Sequence, residues 1–122
     1  MRKILLVEDE NTLREVYTLI LSTEAYELHT AANGQEALAK CESITFDLIL
    51  LDLMMPVLDG VGFLEEFAER NGGVHTKVII LSNLSSGHEL DRALAAGARK
   101  NVLKANISPR QLLATVRYEL EA

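Results

Sequence analysis

The chain has 122 residues, a length that fits one domain with one hydrophobic core and needs no disulfide staples. Hydrophobic residues make up 48% and charged residues 25%, the proportions of a folded soluble protein, which excludes intrinsic disorder. Eighteen acidic against twelve basic residues give a net charge of −6, which argues against direct binding of nucleic acid or of an anionic membrane. The single cysteine, Cys41, cannot form an internal disulfide and suits a reducing compartment. No signal segment opens the chain and no apolar run reaches membrane-spanning length, so a cytoplasmic location is expected.

Residues 4–7 form an unbroken apolar run of strand length. Leu13, Val16, Tyr17, Ile20 and Leu21 follow with the i, i+3, i+4, i+7 spacing of an amphipathic helix. Residues 26–32 alternate, Tyr26, Leu28 and Thr30 against Glu27 and His29, as an edge strand would. Asn33 opens a second helix, its side chain capping while Glu36 reaches back, with Ala37, Leu38 and Cys41 turned inward. Leu48–Leu51 is the next continuous apolar strand, and a third helix after Asp59 buries Phe63, Leu64 and Phe67. Residues 78–81 are again continuously apolar. Ser86 and Glu89 predict a capping box for a fourth helix, which carries Leu90, Ala93 and Leu94 and stops at Gly97. A short strand over 101–103 follows. Ser108 then caps the last helix, with Pro109 in its first position, Gln111 completing the box, and Leu112, Leu113, Val116 and Leu120 facing inward.

Five strand–helix repeats predict an α/β fold over residues 1–122, a doubly wound five-stranded parallel sheet with five helices on its two faces. Continuous apolar strands are covered on both faces, so those three are central and the two weaker strands are edges. Right-handed crossovers then favour strand order 2-1-3-4-5. Sheets of this kind bind ligands beyond the carboxyl ends of the strands, beside the switch point between strands 1 and 3.

At those ends stand Glu8, Asp9 and Glu10 after strand 1, Asp52 after strand 3, Ser82 and Asn83 after strand 4, and Lys104 after strand 5. Singly, each reads as a solvated loop residue or a cap. Converging on one edge, they suit metal-assisted phosphoryl transfer. Gathered carboxylates repel one another unless a cation intervenes, and a hard, oxygen-seeking Mg²⁺ accepts one or two of them together with a phosphate oxygen. One carboxylate can then form an acyl phosphate, with Lys104 supplying positive charge and Ser82 a hydroxyl donor. Asp52, on the central strand, is the choice of nucleophile, because the adjacent pair before helix 1 can hold an ion together. Leu53, Met54, Met55 and Pro56 after it offer no base for a second step, so its phosphate is expected to hydrolyse slowly.

The runs Ile4-Leu5-Leu6-Val7-Glu8-Asp9-Glu10 and Asp52-Leu53-Met54-Met55-Pro56-Val57-Leu58-Asp59-Gly60, with Gly97-Ala98 leading to Lys104, resemble the receiver domains of bacterial response regulators over essentially the whole chain. The resemblance implies the flavodoxin-like fold and Asp52 as phosphoacceptor. It implies Mg²⁺ held directly by Asp9 and Asp52, by the Met54 backbone carbonyl, and by Glu8 through water. Ser82 matches the family's switch hydroxyl and Lys104 its phosphate-pairing lysine. The implied donor is a phosphohistidine on a sensor histidine kinase or phosphotransfer protein, and the implied readout is a downstream partner or an output domain outside this chain. Such a protein promotes its own phosphorylation and slow dephosphorylation and is not otherwise an enzyme. A monomer or weak dimer is expected.

Three positions depart from the family pattern. Asn101 replaces the usual Tyr or Phe of strand 5, which puts coupling through an aromatic rotamer in doubt. Ala105 replaces the cis proline after the lysine, and a non-proline cis bond costs roughly 2.5–4 kcal/mol, so a reshaped trans loop or a strained one is expected. Asn83 replaces a small residue and is expected to narrow access to the phosphate. Arg99 and Lys100 stand where winged-helix members carry an acidic pair, which argues against their mode of dimerisation.

Rival readings fare worse. A flavin-binding protein of the same fold needs a donor-rich phosphate loop where Glu8, Asp9 and Glu10 stand. A haloacid-type phosphatase needs an acid at position 54, which is Met. The serious rival is a receiver-like interaction module that never becomes phosphorylated, and the presence of every site residue counts against it. His29, His75 and His88 lack metal-ligand spacing and read as surface residues, Cys41 as a small packed hydrophobe, Phe63 and Phe67 as core, and Gly72-Gly73 as a short loop.

Overall fold

The structure is a computed structural model describing residues 1–70 and 75–121. Strands and helices alternate: β1 Arg2–Val7, α1 Asn11–Leu21, β2 Tyr26–Ala31, α2 Gly34–Ser43, β3 Leu48–Leu51, α3 Gly60–Arg70, β4 Lys77–Ser82, α4 His88–Ala95, β5 Lys100–Leu103 and α5 Pro109–Glu121, with a 3-10 turn, Lys104–Asn106, before α5. The sheet is five-stranded, in the order β2-β1-β3-β4-β5, and every pairing is parallel. This is the α/β doubly wound, flavodoxin-like arrangement expected from the sequence.

Alternation of side chains along a strand explains why the central strands are apolar at every position. Leu5, Val7, Ile49 and Leu51 face one way and pack with α2, α3 and α4 through Leu38, Leu64 and Leu90. Ile4, Leu6, Leu48 and Leu50 face the other way and pack with α1 and α5 through Leu21, Leu112 and Val116. Each strand residue is fully buried, and each aliphatic side chain so buried stabilises the fold by about 1.5–3 kcal/mol.

The expected caps form at two helices. The Asn33 side chain accepts from the Glu36 N–H at 2.9 Å, and Glu36 reaches back to the Ala32 N–H at 3.1 Å. Ser108 and Gln111 exchange reciprocal bonds of 3.1 and 2.8 Å. The Asp59 carboxylate caps α3 through the Gly62 N–H at 2.8 Å.

Elsewhere the structure corrects the sequence reading. Helix α4 has no Ser86 capping box. Gly87, at φ 119°, is its N-cap, and it has no side chain with which to bond the first-turn N–H groups. Gly97, also at φ 119°, ends the helix as expected, with bonds from the Gly97 and Ala98 N–H groups to the Leu94 and Ala93 carbonyls. Val16 and Leu94, placed on inward stripes, are 43% and 40% exposed, since the buried stripes of α1 and α4 are narrower than periodicity alone implies. Phe63 is fully buried and stacks on Phe67 at 5.5 Å, while His75 and His88 are exposed. His29 is half-buried, bonded to Glu27 and edge-on to Phe46. The Gly72-Gly73 pair lies outside the described residues. No helix is long and apolar enough to cross a membrane among the described residues.

Candidate functional site

Register brings the site together. Val7 pairs with Leu51, so Glu8 and Asp52 emerge at the same level from neighbouring strands. Ser82 pairs with Leu103, so Lys104 follows one step beyond the end of β4. Three further contacts shape the edge. The Asp52 N–H bonds the Val7 carbonyl at 3.0 Å, continuing the ladder past the last strand residue. Gly60 bonds the Leu53 carbonyl at 2.9 Å, and a Cβ on it would stand 2.5 Å from the Asp52 carbonyl, so only glycine fits beneath the acid. Arg14, one turn into α1, donates to the Glu8 carbonyl at 2.8 Å and fastens the acidic loop to the helix.

Glu8, Asp9 and Asp52 each present a carboxylate oxygen within 4.8 Å of the others, the arrangement a hard cation would bind. Glu8 and Asp52 are buried, at 2% and 5% exposure, and Asp9 is open to solvent. The Lys104 ammonium bridges the buried pair, 2.7 Å from Glu8 and 3.1 Å from Asp52. Burial raises the Asp52 carboxyl to about 6, opposed by the Lys104 charge and reinforced by Glu8. Burial works against the Lys104 charge as well, but its hydrogen bond to Glu8 and the charge of Asp52 outweigh this and raise its pKa. Three carboxylates face one ammonium, so negative charge is left over for a divalent cation to balance.

A cavity of about 430 Å³ opens over these groups, completed by Glu10, Met54, Asn83 and Leu84. Its size and charge suit a small anion held through a cation. Asn83 is exposed and is one of the residues lining the cavity. The Met54 N–H donates to Asp52 at 3.3 Å. Among the described residues no peptide bond is cis, and the chain after Lys104 runs into the 3-10 turn. Of the two loop shapes expected at Ala105, the trans one forms.

Ser82 is buried, at 1% exposure, and does not line this cavity. Its hydroxyl instead lies 3.1 Å from the Asn101 side-chain carbonyl. Sequence reasoning noted Asn101 only as the loss of an aromatic ring and missed its partner. Arg14 was missed too, although a basic residue one turn after an acidic strand end is a visible signal.

The response regulator receiver domain family model matches residues 4–117. The transcriptional regulatory protein ResD of Bacillus subtilis (strain 168) is 37% identical over 117 residues, covering 94% of this chain and 46% of ResD. The chain thus spans about half the length of the curated relatives it matches. A CheY-like receiver domain protein from Methanospirillum hungatei JF-1 superposes with a TM-score of 0.90 at 31% identity, covering 99% of this chain and 94% of that one. The chemotaxis response regulator CheY4 of Vibrio cholerae gives 0.88 at 32% identity, with 98% of each chain covered.

Proposed function

The chain belongs to the response regulator receiver domains, and from that premise we propose that Asp52 accepts a phosphoryl group from a phosphohistidine of a sensor kinase or phosphotransfer protein. Phosphorelay signalling is the function of this family, whose members are signalling modules rather than turnover catalysts. In this reading Asp9, Asp52 and the Met54 carbonyl would hold Mg²⁺ directly and Glu8 would hold it through water. When bound, such an ion would supply positive charge to offset the phosphoryl oxygens and to screen the carboxylates from one another.

An Asp52 carboxylate oxygen attacks phosphorus in line with the leaving imidazole. The O–P bond forms as the N–P bond breaks, and the imidazole keeps the electron pair and takes a proton from solvent. Lys104, already within 3.1 Å of Asp52, stays to neutralise the phosphoryl oxygens. Ser82 donates its hydroxyl to one of them. Leu53, Met54, Met55 and Pro56 present no base to activate water, so the acyl phosphate hydrolyses slowly. A phosphorylated state that persists is read by a downstream partner, or by an output domain of the kind that the length of the relatives allows. The cytoplasm, where such a kinase presents its phosphohistidine, is the compartment this reading requires.

The observation that carries it is the three-carboxylate cluster, two of whose members, Glu8 and Asp52, are bridged by Lys104. Incubation with acetyl phosphate and Mg²⁺ should add the mass of one phosphoryl group, and Asp52→Asn should abolish the gain. Absence of any response to acetyl phosphate or to beryllofluoride would turn the reading to a phosphorylation-independent interaction module.

A further inference from the structure

We propose that Asn101 is a positioning residue that holds the Ser82 hydroxyl away from the phosphoryl site in the unmodified protein, so that phosphorylation is transmitted by opening a hydrogen-bond ring shared by Ser82, Asn101 and Leu84. This rests on Asp52 as phosphoacceptor.

The ring is closed and polar throughout. The Leu84 N–H donates to Ser82 Oγ at 3.1 Å, and Ser82 Oγ lies 3.1 Å from Asn101 Oδ1. Asn101 Nδ2 in turn donates to the Leu84 carbonyl at 2.7 Å. The orientation of the amide follows from chemistry: reversed, it would set its oxygen against the Leu84 carbonyl with no proton between them. Ser82 has one proton to give, and Asn101 Oδ1 is nearer than the alternative acceptor, the Leu84 carbonyl at 3.4 Å.

Register makes the ring possible. Ile80 pairs with Asn101 and Ser82 with Leu103, so Asn101 and Ser82 project from the same face of the sheet, one rung apart. An aromatic ring at 101 would offer no acceptor to the hydroxyl. The amide does, and it also ties the loop after β4 to the edge strand.

A phosphoryl group on Asp52 competes for the same proton. A hydroxyl bonds a charged oxygen roughly twice as strongly as a neutral amide oxygen. Moving the hydroxyl to the phosphoryl group forfeits its bonds to Asn101 and to the Leu84 N–H. Gain and loss are therefore comparable, and Asn101 sets how readily the active arrangement forms. The change lies close to the surface, because Asn101 is only half-buried and β5 is an edge strand.

Nuclear magnetic resonance of the full chain with Mg²⁺ and beryllofluoride as the phosphoryl mimic tests this. At saturation the Asn101 side-chain amide and the Leu84 backbone amide should both shift, and exchange of the Leu84 amide with solvent should quicken. Asn101→Leu, close in size but unable to bond, should bind beryllofluoride about three- to tenfold more tightly, the equivalent of one net hydrogen bond. In a Ser82→Ala background the same substitution should change nothing, since no hydroxyl is left to release. An unmoved Asn101 amide in the saturated complex overturns the proposal, as does an affinity gain that survives in Ser82→Ala. If Asn101→Leu does not fold, the wild-type spectra decide alone. Failure to bind beryllofluoride at all removes the acceptor reading, and this inference with it, whereas binding without change at Asn101 removes only the inference.

Discussion

At the scale of single residues, Asp52 is pulled in opposite directions: burial favours its neutral form and Lys104 its ionised one, and burial prevails, with a pKa raised to about 6. The unfolded chain releases the same proton near the ordinary carboxylate value, so without divalent ions protonated Asp52 stabilises the fold at low pH. That contribution is lost as pH rises through about 6. Asp52→Asn cannot ionise and should escape the loss. In chelator, its melting temperature should gain on the wild type between about pH 4 and about pH 7, and a constant gap across that range would refute the assignment. Val57 carries a different tension. It sits at φ 69° in a three-residue turn closed by the Leu58 N–H on the Pro56 carbonyl, with its side chain 81% exposed. A β-branched residue is strained in this left-handed backbone, and Val57→Gly should stabilise the protein by about 1 kcal/mol in denaturant melts. Asp52 stood out in the sequence because an acid ending an apolar strand is a local pattern. The conformation of Val57 did not, because its loop is tied by bonds from the Gly34 N–H to the Leu58 carbonyl and from the Gly60 N–H to the Leu53 carbonyl, which no local pattern announces.

Among elements, α5 shows what periodicity reveals and what it conceals. Its start was legible in Ser108, Pro109 and Gln111, whose reciprocal bonds form, and Ser108→Ala should cost about 1 kcal/mol. Glu119 is not among the inward residues that the sequence pattern names. It is 2% exposed, accepts from Arg99 at 2.6 Å and stands 3.5 Å from Lys100, pinning the helix to the start of β5. The spacing of Leu112, Val116 and Glu119 along one inward face was the overlooked clue. The cations that read as a reversal of an intermolecular acidic pair are used within the chain. Arg99 and Lys100 are about half exposed, so Glu119→Gln returns them to water, and a loss of roughly 1.5–3 kcal/mol in chemical denaturation is expected. No measurable loss would mean that the pair adds nothing beyond its desolvation cost. Helix α4 was legible at its Gly97 stop and illegible at its start, because Gly87 competes with the Ser86 signal and wins through backbone geometry.

For the whole molecule, strand order followed from hydrophobic pattern and handedness, both of which survive without coordinates. The hydrogen bonding of Ser82 depends on which residue stands diagonally from it across β4 and β5, and that became visible only with register. The acidic site likewise belongs to no single element. Lys104 reaches from β5 across the end of the sheet to Glu8 after β1 and Asp52 after β3, and holds together two buried carboxylates that would otherwise repel. The same ammonium occupies space and charge that a divalent cation would use. Lys104→Met therefore has two opposed consequences. In chelator the variant should melt at a lower temperature than the wild type, because the buried acids lose their counter-charge. Its affinity for Mg²⁺ alone, measured by calorimetry, should rise by about tenfold or more, because the cation no longer meets a positive neighbour. The affinity gain and the loss of stability must appear together. If the variant lost stability while binding Mg²⁺ no better, Lys104 would be a structural brace whose charge does not reach the ion site.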